Sequence, residues 1–172
     1  MPRRVIVLLL SFAAVTAAHA QGVRVKLTAW PAPVLLDTLR QDHSVAADPQ
    51  AVYAAVQKAF AELELPVGNT DSKAGIIGTD LFERRGRLAG AAMARSFNCG
   101  DSPMGAPNAD TFRLSIAVAA WVKPDGKGST ILGLAAAADG LDASGARRGA
   151  HECTSTGELE GKIVAAVTRI AR

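Results

Sequence analysis

The chain has few aromatic residues, and this shortage limits how its core can be built. Its 172 residues include five Phe, two Trp and one Tyr, although 49% of the chain is apolar. Much of the apolar content is alanine, which buries little area, so stability should depend on a small set of large side chains. We expect this set to be Phe60, Leu63, Phe82, Phe112, Ile116, Trp121 and Ile163.

The N-terminal apolar stretch is too short for a transmembrane helix. It runs from Val5 to Val15, whereas a spanning helix needs ~20 apolar residues. The cationic pair Arg3–Arg4 precedes it, and the small-residue site Ala18–Ala20 follows. This arrangement is typical of a secretory signal peptide, so we predict that residues 1–20 are removed near Ala20. The mature protein would then be periplasmic or secreted, with no transmembrane span.

The excess of positive charge belongs partly to this predicted signal peptide. The whole chain has 19 Lys and Arg against 16 Asp and Glu. Removing residues 1–20 takes away Arg3 and Arg4 but no acidic residue, which leaves 17 basic against 16 acidic residues. A nearly neutral protein gives little support for nucleic-acid binding, and we predict none.

Two helices are predicted in the mature sequence. Asp48 fits the N-cap of a helix over residues 49–63, where apolar residues recur at a spacing of three or four. Ser155 and Glu158 fit a capping box for a second helix over residues 157–171. Both patterns leave one face of each helix apolar, so both helices should pack on a common layer.

Strands occupy most of the region between these helices. Apolar residues alternate strictly over 111–122, a period of two that a helix does not produce, and the turn at 123–128 returns the chain through 129–138. Further short strands are expected at 23–27, 34–47, 65–69 and 76–83. Short connections favour antiparallel pairing, so we predict an α+β fold with an antiparallel sheet of about 4–5 strands and two helices on one face.

These elements predict a division of the chain into three parts. Residues 1–20 form the signal peptide, residues 21–47 an N-terminal extended segment, and residues 48–172 a single α+β domain. A mature chain of this length fits one domain with its own hydrophobic core.

Only two cysteines are present, Cys99 and Cys153, and both belong to the mature part. In an exported protein such a pair usually forms a disulfide. The two residues lie in long stretches outside the strand pattern, 84–109 and 139–154. We therefore predict a disulfide that ties these stretches together.

Catalytic and metal-binding alternatives use the same few residues. Cys99 activated by His43 or His151 would make a thiol- or histidine-dependent hydrolase. His151 and Cys153 lie on one side of an extended segment, but a zinc site needs two further ligands. The sequence contains neither a G-x-S-x-G elbow nor a P-loop. We therefore predict no metal, no cofactor and no catalytic activity.

Arginines concentrate near both cysteines. A disulfide between Cys99 and Cys153 would bring two groups of arginines together into one cationic patch. Such a patch would suit an anionic cell-surface component or an acidic envelope protein. Its candidate residues are Arg84, Arg85, Arg87, Arg95, Arg147 and Arg148.

A third function depends on small side chains in the predicted hairpin. Ala117, Ala119, Gly133 and Ala135 would leave room on one sheet face. That room could hold a small apolar ligand, or it could let another layer of the protein pack closely.

The order of the predicted elements resembles that of a known group of proteins. It is carried by the helix Val52–Leu63, the strand entry Gly75–Thr79, the hairpin over 111–138 and the final helix. In these features the chain resembles the small α+β, helix-grip-like modules of bacterial envelope lipoproteins. The family implies an interaction or scaffold domain, so we expect an exported, non-catalytic binding or scaffold module. The chain departs from the lipoprotein pattern because no lipid-acceptor cysteine follows Ala20.

Overall fold

The computed structural model describes residues 22–142 and 149–172, so the predicted signal peptide lies outside the described residues. The described helices are α1 (Pro49–Glu62), α2 (Asn108–Thr111) and α3 (Glu158–Ile170). The described strands are β1 (Arg24–Val25), β2 (Val34–Leu35), β3 (Gln41–Val45), β4 (Asn69–Asp71), β5 (Ile76–Gly78), β6 (Phe82–Arg85), β7 (Arg87–Leu88), β8 (Ala91–Ala92), β9 (Phe97–Asn98), β10 (Arg113–Pro124), β11 (Thr130–Leu141) and β12 (Ala150–Ser155). Two short 3₁₀-helices, Leu36–Leu39 and Met93–Arg95, complete the described elements.

The long antiparallel hairpin of β10 and β11 forms the centre of the fold. Each outer edge of this hairpin carries two short strands, one after the other. β5 and β6 lie along β10, and β3 and β12 lie along β11. β4 then pairs with β5, and β9 with β12, which completes an eight-stranded antiparallel sheet.

The prediction of a mixed fold with an antiparallel sheet is confirmed, but the number of strands is larger than the 4–5 expected. The expected strand 76–83 divides into β5 and β6 at Thr79, whose hydroxyl oxygen accepts the Val118 N–H at 2.9 Å. The stretches 84–109 and 139–154, both expected to lie outside the sheet, contribute β9 and most of β12. A two-residue strand such as β9 is too short to show a periodicity, which explains why the sequence did not reveal it.

Helices α1 and α3 cover one face of the sheet. The even-numbered side chains of β10 from Leu114 to Val122 form one buried cluster with apolar residues of both helices. The helical members include Val52, Val56, Phe60, Leu159, Ile163 and Val167. The predicted alternation is therefore confirmed over β10, which starts at Arg113. Of the large side chains expected in the core, this cluster buries Phe60, Phe112, Ile116 and Ile163, whereas Leu63 and Phe82 are partly buried against it and Trp121 belongs to the cluster on the other face. None of the helices in the two described ranges is long and apolar enough to span a membrane.

The predicted N-terminal cap is confirmed for α1 but not for α3. Asp48 caps α1 as expected, because its carboxylate accepts the N–H groups of Gln50 and Ala51 at 3.0 Å. The capping box expected at the start of α3 is wrong: Gly157 is the N-cap, and the Ser155 hydroxyl donates to Glu160. Glu158 points to Arg95 instead, at 3.1 Å. Ser155 thus has a carboxylate partner two residues further along the helix than the motif predicts.

The sheet face opposite the helices is covered by residues 22–40, here called the N-terminal layer. Leu27, Val34 and Leu36 form a second buried cluster with the small side chains of the hairpin. Those side chains include Ala117, Ala119, Ala135 and Ala137, each 1% exposed or less. The alanines therefore admit a packed layer of the protein itself, which was one of the two expectations for this face.

Buried Asp139 attaches the N-terminal layer to the sheet. Its carboxylate accepts the Ala29 N–H at 2.9 Å, and the side chain is only 3% exposed. The Trp30 indole N–H donates to the neighbouring Ala138 carbonyl at 3.4 Å. Polar contacts at Ala29 and Trp30 and apolar packing along its length thus hold the N-terminal layer on the sheet.

Candidate functional site

The predicted disulfide is confirmed: Cys99 and Cys153 are bonded, with their Cα atoms 4.3 Å apart. Gly140, on the strand next to Cys153, makes space for this bond. A Cβ at Gly140 would lie 3.3 Å from the Cys153 sulfur and 2.9 Å from the Phe112 ring. Since the chain contains only two cysteines, neither sulfur is available as a thiolate in this state.

The two histidines of the hydrolase alternative lie at opposite ends of β11. His43 pairs with Leu132 and His151 with Gly140. These partners are eight residues apart, which corresponds to about 27 Å along a strand. The His151 ring instead lies 5.3 Å from the Phe112 ring. Within the described ranges, no three His, Cys, Asp or Glu residues form a group that could hold a metal ion.

The predicted arginine patch is divided by the fold. Arg147 and Arg148 lie outside the described residues. Arg84 and Arg85 are neighbours on β6, so their side chains point to opposite faces of the sheet. Arg84 is paired in register with Leu114 on the helix face, and Arg85 with Arg113 on the other face.

Arg84 and Arg87 meet at one cleft of about 440 Å³, here called the arginine cleft. It lies where α1 ends, opposite the tight turn that joins β7 to β8. Glu64, just beyond α1, has a φ of 57°, and Ala89 in the turn has a φ of 48°. The lining residues are Glu62, Leu63, Glu64, Arg84, Arg87, Leu88, Ala89 and Gly90.

Main-chain oxygens hold both guanidinium groups of the arginine cleft. Arg84 donates to the carbonyls of Glu83 and Glu64 at 3.0 and 3.2 Å. Its guanidinium carbon also lies 5.2 Å from the centre of the Phe82 ring. Arg87 donates to the Gly90 carbonyl. These contacts orient the two side chains without neutralising their charge, and in the described part of the chain neither forms a salt bridge.

Two cations of α3 lie next to the arginine cleft without lining it. Lys162 donates to the Ala89 carbonyl at 3.0 Å, and Arg169 pairs with Glu62. The charged residues that line the cleft, Arg84, Arg87, Glu62 and Glu64, sum to zero. The net charge of +2 in this region comes from Lys162 and Arg169, which contact the lining from α3. Sequence reasoning missed Glu62, Glu64 and Lys162, because only the packing of α1 and α3 against the β7–β8 turn brings them there.

Arg85 and Arg95 lie away from this cleft. Arg85 is exposed and stands opposite Arg113, whose guanidinium is 3.5 Å from Glu83. Arg95 forms the ion pair with Glu158 at the start of α3. Of the four described arginines of the predicted patch, two therefore line the cleft and the other two provide comparison positions.

Comparison with known proteins adds no assignment: no protein-family model matches the chain, and no curated protein matches it.

Proposed function

We propose that the protein is an exported, non-catalytic binding module of the cell envelope, and that the arginine cleft holds a carboxylate of an acidic protein partner. The proposal includes signal-peptide cleavage near Ala20 and release into the periplasm or the medium. It also includes a single-domain, helix-grip-like organisation. The observation that carries it is the pair of guanidinium groups, Arg84 and Arg87, which are held at one cleft by carbonyls. Among the residues that the structure describes, neither has a carboxylate partner.

A carboxylate is the group that these two arginines fit best. Each guanidinium has five N–H donors in a fixed planar arrangement, and only some of them are used on carbonyls. The remaining donors can bind a carboxylate in a bidentate manner. The contacts to Glu64 and Gly90 keep the side chains in place before binding, which lowers the entropy lost on association.

The shape of the cleft favours a protein side chain over a flat membrane surface. The guanidinium groups lie beside Glu62 and Glu64, whose charges would oppose the approach of a continuous anionic surface. A single carboxylate on a polypeptide can enter between them. A volume of about 440 Å³ also lies in the range of about 300–1,000 Å³ that is usual for small-ligand sites.

The positions of the sulfurs and histidines support a binding role over the hydrolase alternative. A thiol nucleophile needs a free thiolate and a base within hydrogen-bond reach. Cys99 is bonded to Cys153, so neither sulfur is a thiolate. His43 lies at the far end of β11 from that bond, and His151, which lies at the same end, has no free thiol to activate. Hydrolysis of cell-wall or ester substrates by the purified protein, lost on changing His43→Ala, would overturn this part of the proposal.

The binding role is tested by titrating the exported protein with a hexaglutamate peptide and following the backbone amides by NMR. We expect saturable shifts at Leu88–Gly90 that weaken as salt is added, because salt screens exposed charges. The double variant Arg84→Gln/Arg87→Gln should lose at least about tenfold in affinity, equivalent to about 1.4 kcal/mol. Arg85→Gln, next to Arg84 but on the other face, should bind like the unchanged protein.

Two outcomes of this experiment contradict the proposal. One is the absence of binding by the unchanged protein. The other is an equal loss in the Arg85→Gln control, which would mean that general charge and not the cleft is responsible. A parallel titration with phosphatidylglycerol vesicles tests the membrane alternative, since preferential binding to vesicles would replace the acidic protein as partner.

A further inference from the structure

A second, smaller cavity lies where the sheet is interrupted beside β11. Leu134 is the last residue of β11 paired with β3, and Ala138 is the first paired with β12. Residues 135–137 therefore have no strand partner on this edge within the described sheet. β12 leaves β11 here, and Thr154 and Ser155 pair with β9 instead. The result is a cavity of about 180 Å³, here called the β11 notch.

The β11 notch has a mixed lining of apolar and polar residues that includes one buried acid. Trp30 and Leu39 of the N-terminal layer line it together with Ala137, which faces that layer, and Ala136, which faces the helices. Glu160, from the first turn of α3, lines the same cavity and is only 2% exposed. The remaining lining residues are Gln41, Cys153, Thr154 and Ser155.

The Glu160 carboxylate has a hydrogen-bond partner but no counter-charge. The Ser155 hydroxyl lies 2.7 and 2.9 Å from its two oxygens, and this hydroxyl has one proton to donate. No Lys, Arg or His nitrogen of the described ranges lies within 4.0 Å of Glu160. The N-terminus of α3 offers partial positive charge, yet a buried carboxylate is ordinarily paired with a full charge.

We propose that the β11 notch is a binding site for a primary ammonium group on a short apolar stem. The ammonium would pair with Glu160, and the stem would lie against Trp30, Leu39 and the two alanines. A volume of about 180 Å³ corresponds to about six water-sized atoms, at ~30 Å³ each. That matches a chain of five carbons ending in nitrogen, as in pentylammonium, and it also accommodates a lysine side chain.

This site is independent of the arginine cleft, because it lies beside β11 and selects the opposite charge. A ligand for the arginine cleft is an anion, whereas the β11 notch excludes anions through Glu160. Failure of one proposal therefore leaves the other unaffected. The single carboxylate also distinguishes the site from a metal site, since a hard cation requires several oxygen ligands and Glu160 is the only acidic residue of the lining.

The test is a titration of the exported, disulfide-bonded protein with n-pentylammonium, followed by NMR at the amides of Ala136, Ala137 and Thr154. We expect saturable shifts, and at least about tenfold weaker binding of n-pentanol, which has the same stem without the charge. Glu160→Gln keeps the size and an acceptor oxygen but removes the charge, and should weaken pentylammonium binding at least about tenfold. Glu158→Gln, on the same turn but paired with Arg95, is the matched control and should bind normally.

A variant at the rim keeps the test valid if Glu160→Gln does not fold. Leu39 is 39% exposed, so Leu39→Lys should fold normally while placing a competing ammonium beside the notch. We expect it to weaken pentylammonium binding. Equal binding of pentanol and pentylammonium, no saturable binding of either, or unchanged binding by both Glu160→Gln and Leu39→Lys would overturn the proposal.

The source of the ammonium is resolved by a second titration. Nα-acetyl-lysine-N-methylamide presents the same group on a peptide backbone. Tighter binding of this compound than of pentylammonium would identify a lysine of a protein as the natural ligand, and weaker binding would identify a free amine. If neither compound binds, the proposal is wrong.

Discussion

The guanidinium carbon of Arg40 lies 5.8 Å from the centre of the Trp121 ring, on the sheet face covered by the N-terminal layer. Gly133 stands opposite Trp121 in the hairpin register, and a Cβ there would lie 2.4 Å from Cδ of Arg40. The missing side chain is therefore what lets Arg40 cross β11. Arg40 also pairs with Asp42 at 2.8 Å, so one side chain connects β3 with β10.

This relationship predicts a coupling between Gly133 and Arg40. Gly133→Ala should lower the free energy of unfolding by about 1 kcal/mol, because the new methyl group displaces Arg40 from Trp121 and removes a cation–π contact. In an Arg40→Ala background the same change should cost less, since only Asp42, whose Oδ1 would lie 2.8 Å from the new Cβ, remains to be displaced. Urea denaturation of the four proteins gives the coupling energy, and an equal cost in both backgrounds would contradict it.

The disulfide should contribute strongly to stability. It closes a separation of 54 residues, for which the chain-entropy relation gives about 4 kcal/mol. We expect the double variant Cys99→Ala/Cys153→Ala to lose about this much free energy of unfolding. Denaturation with and without a reductant provides the control: reductant should lower the stability of the unchanged protein but have no effect on the variant. A reductant effect on the variant would show that another cause is at work.

Two leucines of one 3₁₀-helix test the packing of the N-terminal layer. Leu36 is 1% exposed and belongs to the second buried cluster, whereas Leu39 is 39% exposed. Leu36→Ala should cost about 2–5 kcal/mol, because it leaves a cavity against the hairpin alanines. Leu39→Ala should change stability by less than about 1 kcal/mol. Thermal or urea unfolding measures both, and a similar cost for the two variants would mean that the layer does not pack on the sheet as described.

Tyr53 offers a direct reading of local electrostatics because it is the only tyrosine of the chain. Burial, and secondly the nearby Asp71 carboxylate, raise the pKa of Tyr53 above its ordinary value. The stabilising effect of the neutral phenol is thus complete below pH ~10 and is lost as the pH rises through the raised pKa. In an absorbance titration, Asp71→Asn should lower the Tyr53 pKa.

The Tyr53 titration has a simple comparison position. Asp101 is exposed and lies two residues after Cys99. It is not among the charges that raise the pKa of Tyr53, so Asp101→Asn should leave the Tyr53 titration unchanged. An identical curve for Asp71→Asn and the unchanged protein would show that the carboxylate does not act on Tyr53.

The sequence was sufficient for the elements with a strong repeating pattern. The central hairpin, the two long helices and the disulfide were all predicted, because each depends on local periodicity, on capping or on the chemistry of two cysteines. The predicted helix over 49–63 differs from α1 by one residue. A strand was predicted over 76–83, where the structure has β5 and β6, but its division into two was not. β9 was not predicted, because this two-residue strand exists only through its pairing with β12.

The two candidate sites were also predictable from the sequence only in part. Arg84 and Arg87 were recognisable as a local concentration of charge, but their separation from Arg85 follows from the alternation of side chains on β6. Glu160 was not singled out by any motif, since its burial results from the divergence of β12 from β11.

By itself the sequence determined the amphipathic helices, the alternating hairpin and the pairing of Cys99 with Cys153, because local periodicity and the presence of only two cysteines suffice for these. Only the tertiary structure decided what covers the second sheet face and which charges meet. The alanines of β10 and β11 are compatible with a cavity or with a packed layer, and the N-terminal layer fills that space. Charges that meet across α1, α3 and the β7–β8 turn are distant in sequence, so their electrostatics arise only once the chain has folded.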